Sequence, residues 1–288
     1  MQKISETLKL HYLEPFEYNE EEDIKGKVNY TNGLEGDLNK RDGYNCPKCK
    51  NKGFIADIQF SQGHYREISI RCDCMNTRKV INSLLNCGIS LETLKRCKFE
   101  NYKREQEWQQ ELYNKVMSYI SDVVENKKPY WFYLGGQTGA GKTMILTATF
   151  RKLITKKCLN GYYLLWNNES KQLLNYEKRN VEKYSERLYE LTTCDILYID
   201  DFFKLDSDNS FNSDNTSLAY EIINNRYMNK KLTLISTELT KDKLNEKDSA
   251  IFGRIFEMTN NGEYFIQVIG DDKNYRTKEI GENKDYEF

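Results

Sequence analysis

The chain has 288 residues, 39% of them hydrophobic and 13% aromatic, with 43 basic and 44 acidic side chains and a formal net charge of -1. Its 21 Tyr and 13 Phe allow a real core, which excludes disorder throughout, and the length suits one substantial domain with a smaller one. Balanced charge excludes a global basic field for nucleic acid, and no apolar run is long enough to span a bilayer.

Residues 1–10 lack the continuous apolar segment of a secretory signal, so a cytoplasmic chain with no membrane contact is expected. The first forty residues read as polar and irregular, with a short helix near residues 4–12 and an acidic stretch at Glu20, Glu21, Glu22 and Asp23. Eight Cys in an intracellular chain argue for metal rather than a disulfide framework. Cys46-Pro47-Lys48-Cys49 is followed after 22 residues by Cys72-Asp73-Cys74. Two close pairs brought together make a tetrahedral Cys₄ site suited to structural Zn²⁺. A redox dithiol at Cys46 and Cys49, or an iron–sulfur cluster, are the competing uses. Phe54, Ile55, Ile58, Phe60, Ile68 and Ile70 alternate like a two-stranded ribbon around a turn at residues 61–64, a unit so small that metal must supply much of its folding energy. Lys48, Lys50, Lys52, Arg66, Arg71, Arg78 and Lys79 with Tyr44, Phe54 and Tyr65 fit either a small nucleic-acid surface or an ordinary solvated face. Cys87, Cys97, Cys158 and Cys194 read as small buried hydrophobes.

Residues 78–128 have helical periodicity, closed by Pro129. From there, short apolar runs at 130–134, 162–166, 196–199, 233–235 and 264–269 alternate with helical stretches at 143–154, within 170–191, at 218–228 and at 249–256. That alternation predicts an α/β fold, a five-stranded parallel sheet with helices on both faces. Residues 206–217 read as a polar surface loop. Only 18 residues follow Gly270, so no helical lid is expected after the fifth strand.

Gly136-Gln137-Thr138-Gly139-Ala140-Gly141-Lys142-Thr143 has Walker A spacing, with a strand before it and a helix after it. The glycines let successive N–H groups point into one concavity, to which the helix adds its dipole. Lys142 then reaches the β- and γ-phosphates of ATP, and Thr143 coordinates Mg²⁺. Asp195-Ile196-Leu197-Tyr198-Ile199-Asp200-Asp201 has Walker B form: Asp200 holds Mg²⁺ and Asp201 positions or deprotonates the attacking water, with slow turnover expected from so short an acid. The fourth strand ends in Ser236-Thr237-Glu238, where Thr237 and Glu238 are both placed to sense the γ-phosphate or hold water, with helix capping as the rival. Arg254, just ahead of the fifth strand, suits an arginine finger entering a neighbouring subunit, with an intramolecular bridge as the alternative; Arg226 is a weaker candidate.

Over residues 86–276 the chain resembles AAA+ ATPases of the DnaC-type group, which comprises replicative-helicase loaders and the related ATP-binding helper proteins of insertion sequences. The resemblance rests on the order of Cys87-Gly88-Ile89-Ser90, Phe99-Glu100-Asn101-Tyr102, the Walker A loop, Leu164-Leu165-Trp166, Asp200-Asp201-Phe202, Ile222-Ile223-Asn224-Asn225-Arg226-Tyr227, Ser236-Thr237-Glu238-Leu239 and Arg254-Ile255. It implies an AAA+ P-loop core at residues 86–288 behind a zinc-binding, partner-binding module at residues 1–85. Gly136, Gly139, Ala140, Gly141, Lys142, Thr143 and Asp200 are then nucleotide and magnesium residues, Asp201 the catalytic acid and Arg254 the finger. Phe99 and Tyr102 lie near the adenine, and Glu238 stands where relatives carry Asn as sensor 1, leaving Thr237 as a substitute. The implied activity is ATP hydrolysis, slow and partner-stimulated, in a loader of a hexameric replicative helicase. Single-stranded DNA and further copies of the chain are its other implied partners. A transposase helper and a small-molecule P-loop kinase are the alternative readings.

Overall fold

The computed structural model describes residues 19–127, 130–204 and 213–274. The helix expected at residues 4–12, Pro129, most of the polar run at 206–217 and everything after Asn274 lie outside them. The chain divides into two compact units, residues 1–78 and 79–288.

In the first unit, the acidic stretch expected to be irregular forms a helix, α1 (Glu20–Gly33). Asn19 caps it by accepting from the N–H groups of Glu21 and Glu22, and four acids fill its first turn. Negative charge there complements the helix dipole, and Glu21–Lys25 and Asp23–Lys27 pairs brace the exposed face. Weak apolar periodicity concealed this helix: Val28 is its only fully buried residue. One turn, α2 (Asn39–Asp42), leads to the first cysteine pair. β1 (Phe54–Ser61) and β2 (His64–Arg71) then form an antiparallel hairpin, with Phe54 opposite Arg71 and Ser61 opposite His64. Gln62 and Gly63 turn it with positive φ at both positions, as a tight two-residue connection requires. α3 (Cys74–Asn86) starts on the last cysteine of the cluster, and the division between units falls within it.

The second unit continues with α4 (Leu91–Arg96), a 3₁₀ turn at Phe99–Asn101 and α5 (Glu107–Val124). There follow β3 (Trp131–Gly136), α6 (Lys142–Lys157), β4 (Gly161–Leu165), α7 (Trp166–Arg179) and α8 (Val181–Thr193). The series ends with β5 (Ile196–Asp200), α9 (Ser213–Met228), β6 (Leu232–Ser236), α10 (Lys241–Lys247), α11 (Ser249–Met258) and β7 (Phe265–Val268). The five strands form one parallel sheet in the order β4-β5-β6-β3-β7.

Side-chain alternation along these strands sorts the core into two layers. Phe132, Leu134, Tyr198 and Leu234 pack with α5 and α6 residues such as Val116, Ile120, Ile145 and Phe150. Trp131, Tyr133, Leu197, Ile199 and Ile235 pack on the opposite face with Leu173, Ile222, Ile251 and Ile255 from α7, α9 and α11. The expected five-stranded parallel sheet with helices on both faces is therefore the observed architecture.

Three boundaries differ from the sequence reading. Trp166 opens α7 rather than ending β4, because it packs edge-on against Phe202 and Phe203. The stretch 170–191 is two helices, broken at Asn180, whose side chain caps α8 by accepting from the Lys183 N–H. α9 begins at Ser213, five residues before its apolar face, with Asp214 in the first turn where negative charge suits the helix dipole. Among the described residues, no helix is long and apolar enough to cross a membrane.

Candidate nucleotide site and cysteine centre

β3 ends between two neighbours that fix where the loop begins. The Gly136 N–H donates to the Thr237 carbonyl (3.1 Å) and the Gln137 N–H to the Val268 carbonyl (2.7 Å). Gly136 has φ +113° and lies so close to Val268 that a Cβ would stand 2.2 Å from its carbonyl oxygen, so no side chain fits. Gly139 (φ +79°) and Gly141 (φ +75°) take the left-handed conformation that curls the loop into the N-terminus of α6. The loop expected to cradle a triphosphate thus leads directly into a helix N-terminus, where N–H groups and the dipole favour an anion.

Lys142 folds back across this loop, donating to the Gly136 carbonyl (2.9 Å) and the Gln137 carbonyl (2.8 Å). Burial lowers its pKa below the usual lysine value, opposed by the nearby charges of Glu238, Asp201 and Asp200. An ammonium in that setting gains from an arriving phosphate. Thr143 donates to the Asp200 carboxylate (3.2 Å), which places the two expected magnesium residues side by side. Hydroxyl and carboxylate are oxygen donors, the set that Mg²⁺ takes alongside substrate phosphates.

Asp200 is 2% exposed and accepts hydrogen bonds from Tyr163 (2.9 Å), Tyr198 (2.8 Å) and Ser236 as well as Thr143. These contacts supply what a buried carboxylate needs. Asp201 follows in the left-handed region, φ +53°, with its N–H held by Ser236 Oγ (3.1 Å). That reversal directs the two adjacent acids differently: Asp200 into the hydroxyl cluster, Asp201 toward Lys204 (3.2 Å). Glu238 accepts from Thr138 of the loop (2.9 Å) and from Lys204 (2.9 Å). Burial would raise its pKa, but these contacts outweigh burial and hold Glu238 below the usual carboxylate value. Thr237 is fully buried; its hydroxyl donates to the Phe202 carbonyl (2.6 Å) and accepts from the Leu239 N–H (3.1 Å). Of the two fourth-strand candidates, Glu238 is the one whose side chain contacts the phosphate loop; Thr237 meets it through its backbone carbonyl.

Tyr102 is buried with its ring against Gly141, 3.4 Å from where a Cβ there would be. Phe99 packs edge-on against Tyr113 at 5.8 Å. Arg254 makes its bonds on α9 and its own helix: Nε to Asn224 (3.0 Å), the guanidinium to Tyr220 OH (3.0 Å) and to the Ala250 carbonyl (2.9 Å). It also lies over the rings of Tyr220 and Tyr227. None of these partners belongs to the phosphate loop. Arg226 is fully buried and donates to the carbonyls of Leu191, Cys194 and Leu232 and to Thr233 Oγ1, which makes it a structural tie.

The sequence reading assigns no role to Tyr163, Tyr198, Ser236 or Lys204. Tyr198 was within reach of it, standing two residues before Asp200 on the same face of β5, and Tyr163 is its register partner on β4. Lys204 gave no signal, because only the turn after β5 carries it back toward Asp201.

The cysteine centre is separate chemistry. Cys46, Cys49, Cys72 and Cys74 are buried, with all four sulfurs within 4.8 Å of one another. Cys46 and Cys72 sulfurs are 3.9 Å apart, Cys49 and Cys74 3.5 Å. Four thiolates around Zn²⁺ at bonds near 2.3 Å stand about 3.8 Å apart, so the set fits zinc. Lys50, Asn51 and Gly53 have positive φ in the knuckle after Cys49, and the Gly53 N–H donates to the Cys49 sulfur (3.3 Å). Against the effect of burial, that bond and the neighbouring thiols bring Cys49 down to about 7, whereas burial and Cys49 push Cys74 up to about 12. One thiolate forms readily and opposes the next, a resistance that a divalent cation removes.

Fold and loop together define an α/β protein with a Walker A-type phosphate loop at the end of a parallel strand. No family model matches the chain. It is 28% identical over 208 residues to the uncharacterized protein YqaM of Bacillus subtilis, covering 70% of this chain and 64% of that one, a little under two thirds of its length. It is 27% identical over 242 residues to the phage-like element PBSX protein XkdC of the same organism, covering 82% and 88%. Its structural neighbours include a DnaC helicase loader (19% identity, TM-score 0.47, 62% of this chain and 99% of that one). Others are DnaI (16%, 0.47, 65% and 94%) and AMPPCP-bound DnaA from Aquifex aeolicus (20%, 0.48, 65% and 54%).

Proposed function

We propose that the chain is an ATP-dependent loader of a hexameric replicative DNA helicase. Residues 86–288 form the ATPase core and residues 1–85 the zinc-stabilised partner-binding module. The observation that carries the ATPase is the continuous set Lys142, Thr143, Asp200, Asp201 and Glu238 at the C-terminal edges of three adjacent strands. The helicase role rests on the order of motifs shared with DnaC-type loaders and on a Cys₄ module that is not needed to build the phosphate site.

In this reading Lys142 and the loop N–H groups bind the β- and γ-phosphates of ATP, and Thr143 and Asp200 hold Mg²⁺, which supplies charge neutralisation at the phosphates. Asp201 orients the attacking water and accepts its proton. Tyr163, Tyr198 and Ser236 hold Asp200 in place. Tyr102 and Phe99 lie on the adenine side. Arg254 acts on the site of a neighbouring copy when ATP, helicase or DNA assembles the chain. Single-stranded DNA runs along the assembled cores with modest, salt-sensitive affinity, as a net charge of -1 dictates.

The test uses the full chain. With zinc and ATP it should co-elute with a replicative helicase and show ATP hydrolysis that helicase raises. Phe60→Ala, at an exposed position on β1, should weaken helicase capture while ATP binding is kept. Stimulation of a transposase without helicase capture would replace this reading with the transposition helper. Transfer of the γ-phosphate to a metabolite would replace it with the kinase.

A further inference from the structure

Lys204 is the one ammonium besides Lys142 that the structure brings to the carboxylates of the phosphate site among the described residues. It belongs to no nucleotide-binding motif in the sequence. Its Nζ donates to Asp201 (3.2 Å) and to Glu238 (2.9 Å). Glu238 uses the same oxygen, Oε1, to accept from Thr138 of the loop, so Lys204 is one carboxylate away from the phosphate cradle. A lysine has three N–H donors, and two are accounted for by these acids. Its side chain is 39% exposed, which leaves it open to a ligand entering the loop. Burial works against its charge, but the contacts with Glu238 and Asp201 outweigh burial and keep it firmly protonated. Lys142 feels the charges of Glu238, Asp201 and Lys204 together, which places all four in one electrostatic unit.

We propose that Lys204 is a terminal-phosphate ligand that discriminates a nucleoside triphosphate from a diphosphate, exchanging its contact with Glu238 for a γ-phosphate oxygen. The exchange follows from charge. A γ-phosphate held by Lys142 carries more negative charge than Glu238 and presents three oxygens to a donor that already faces the loop. A diphosphate leaves that position without an acceptor, so Lys204 stays on Glu238. Asp201 keeps its own contact with Lys204 in both cases, which ties the candidate water-orienting acid to the presence of the γ-phosphate. The inference rests on the nucleotide-site reading above and adds a residue to it.

The experiment measures affinity of the full, zinc-loaded chain for Mg²⁺ with a non-hydrolysable ATP analogue and for Mg²⁺ with ADP, by calorimetry. Lys204→Met should weaken the ATP analogue by about tenfold or more, the size of one charge-assisted hydrogen bond to phosphate. It should leave ADP affinity within about twofold, because no contact made with ADP is removed. Lys204→Arg should restore most of the discrimination. Glu238→Gln supplies a readout that a purely structural bridge would not give: it frees Lys204, so the ratio of analogue affinity to ADP affinity should rise. Equal weakening of analogue and ADP in Lys204→Met would overturn the proposal, as would wild-type discrimination in that variant. Parallel losses in Lys204→Met and Glu238→Gln would reduce the bridge to a scaffold and overturn it too. If the wild type bound neither nucleotide, the nucleotide-site reading itself would fall; if only Lys204 variants behave as wild type, that reading stands and this inference alone fails.

Discussion

Asp42 and Arg78 form an ion pair in the cysteine unit that a single substitution should break at high cost. Their side chains are each 3% exposed, and one guanidinium nitrogen lies 2.5 and 2.6 Å from the two carboxylate oxygens. The second terminal nitrogen donates to Asn51 Oδ1 (3.0 Å), which also accepts from the Cys46 N–H (2.8 Å). Arg78 also lies over the Tyr44 ring. The Cys46 backbone is therefore tied to Arg78 through Asn51, and Asp42 is what neutralises the guanidinium. Asp42→Ala would leave a buried guanidinium uncompensated, a loss of about 3–5 kcal/mol. A unit of this size has only about 4–12 kcal/mol of stability in total, so a large share of the margin would go and zinc binding would carry more of the rest.

The assay is urea denaturation of the metal-loaded full chain, with zinc release followed by a chromogenic chelator. Asp42→Ala should release zinc at markedly lower urea. Asp42→Leu combined with Arg78→Met should recover much of the loss, because removing both charges avoids the unpaired one. A single-variant cost below about 1 kcal/mol, the size of an exposed pair, would refute the argument, as would a double variant no better than the sum of its parts. pH gives an independent check. Burial raises the Asp42 pKa, but the Arg78 contacts outweigh it and leave Asp42 below the usual carboxylate value. Its contribution is then full above the unfolded pKa of about 3.9 and fades as pH falls through the lower folded value. The stability gap between wild type and Asp42→Asn should therefore close only below about pH 4.

Gly136→Ala should destabilise the second unit by about 2–4 kcal/mol, from left-handed strain and a lost strand contact, and abolish nucleotide binding. Gly253→Ala, in α11 with nothing within 4 Å of the added carbon, should stabilise by about 0.5–1 kcal/mol; thermal unfolding with opposite signs for the two is the check. Lys142→Ala should abolish ATP binding in an equilibrium filter assay, whereas Asp201→Ala should keep binding and lose hydrolysis; a normal rate in both would relocate the site. Arg254→Ala should lose hydrolysis with ATP affinity kept within several-fold, and mixing it with Lys142→Ala should restore part of the rate if the finger works between copies. An unchanged rate would leave Arg254 as the tie to Asn224 and Tyr220.

The phosphate loop and the sheet were legible because each depends on local chemistry: glycines at fixed offsets, apolar strands of period two, acids at a strand end. The fully buried run Ile196–Asp200 shows both the apolar strand and its polar end in five letters. α1 was hidden because its stability comes from a cap, a dipole and ion pairs, which leave no apolar stripe to count. The surroundings of Asp200 were hidden for another reason. Tyr163, Ser236 and Thr143 converge on it from three separate elements, and only parallel register brings Tyr163 beside Tyr198. Lys204 depends on a backbone reversal at Asp201 and Phe203, both with positive φ, in side chains that ordinarily avoid that region.

These charges also bear on what the site can hold. Asp200, Asp201 and Glu238 bring three carboxylates to the rim where Lys142 and Lys204 bring two ammonium groups, so the side chains alone are net acidic. A bare triphosphate would meet repulsion from the acids that no loop glycine offsets. Loop N–H groups and the start of α6 supply partial positive charge, but Asp200 lies beside Thr143 and needs a full countercharge when phosphate enters. Mg²⁺ at that pair resolves the conflict, since it takes carboxylate, hydroxyl and phosphate oxygens together. Under the proposed function, the site would therefore take a metal–nucleotide complex rather than a free nucleotide. Affinity for the nucleotide should collapse with a chelator present, and Asp200→Asn should lessen that dependence by lowering the acid charge at the rim. Equal affinity with and without Mg²⁺ in the wild type would mean that Asp200 serves only the hydroxyl cluster around it.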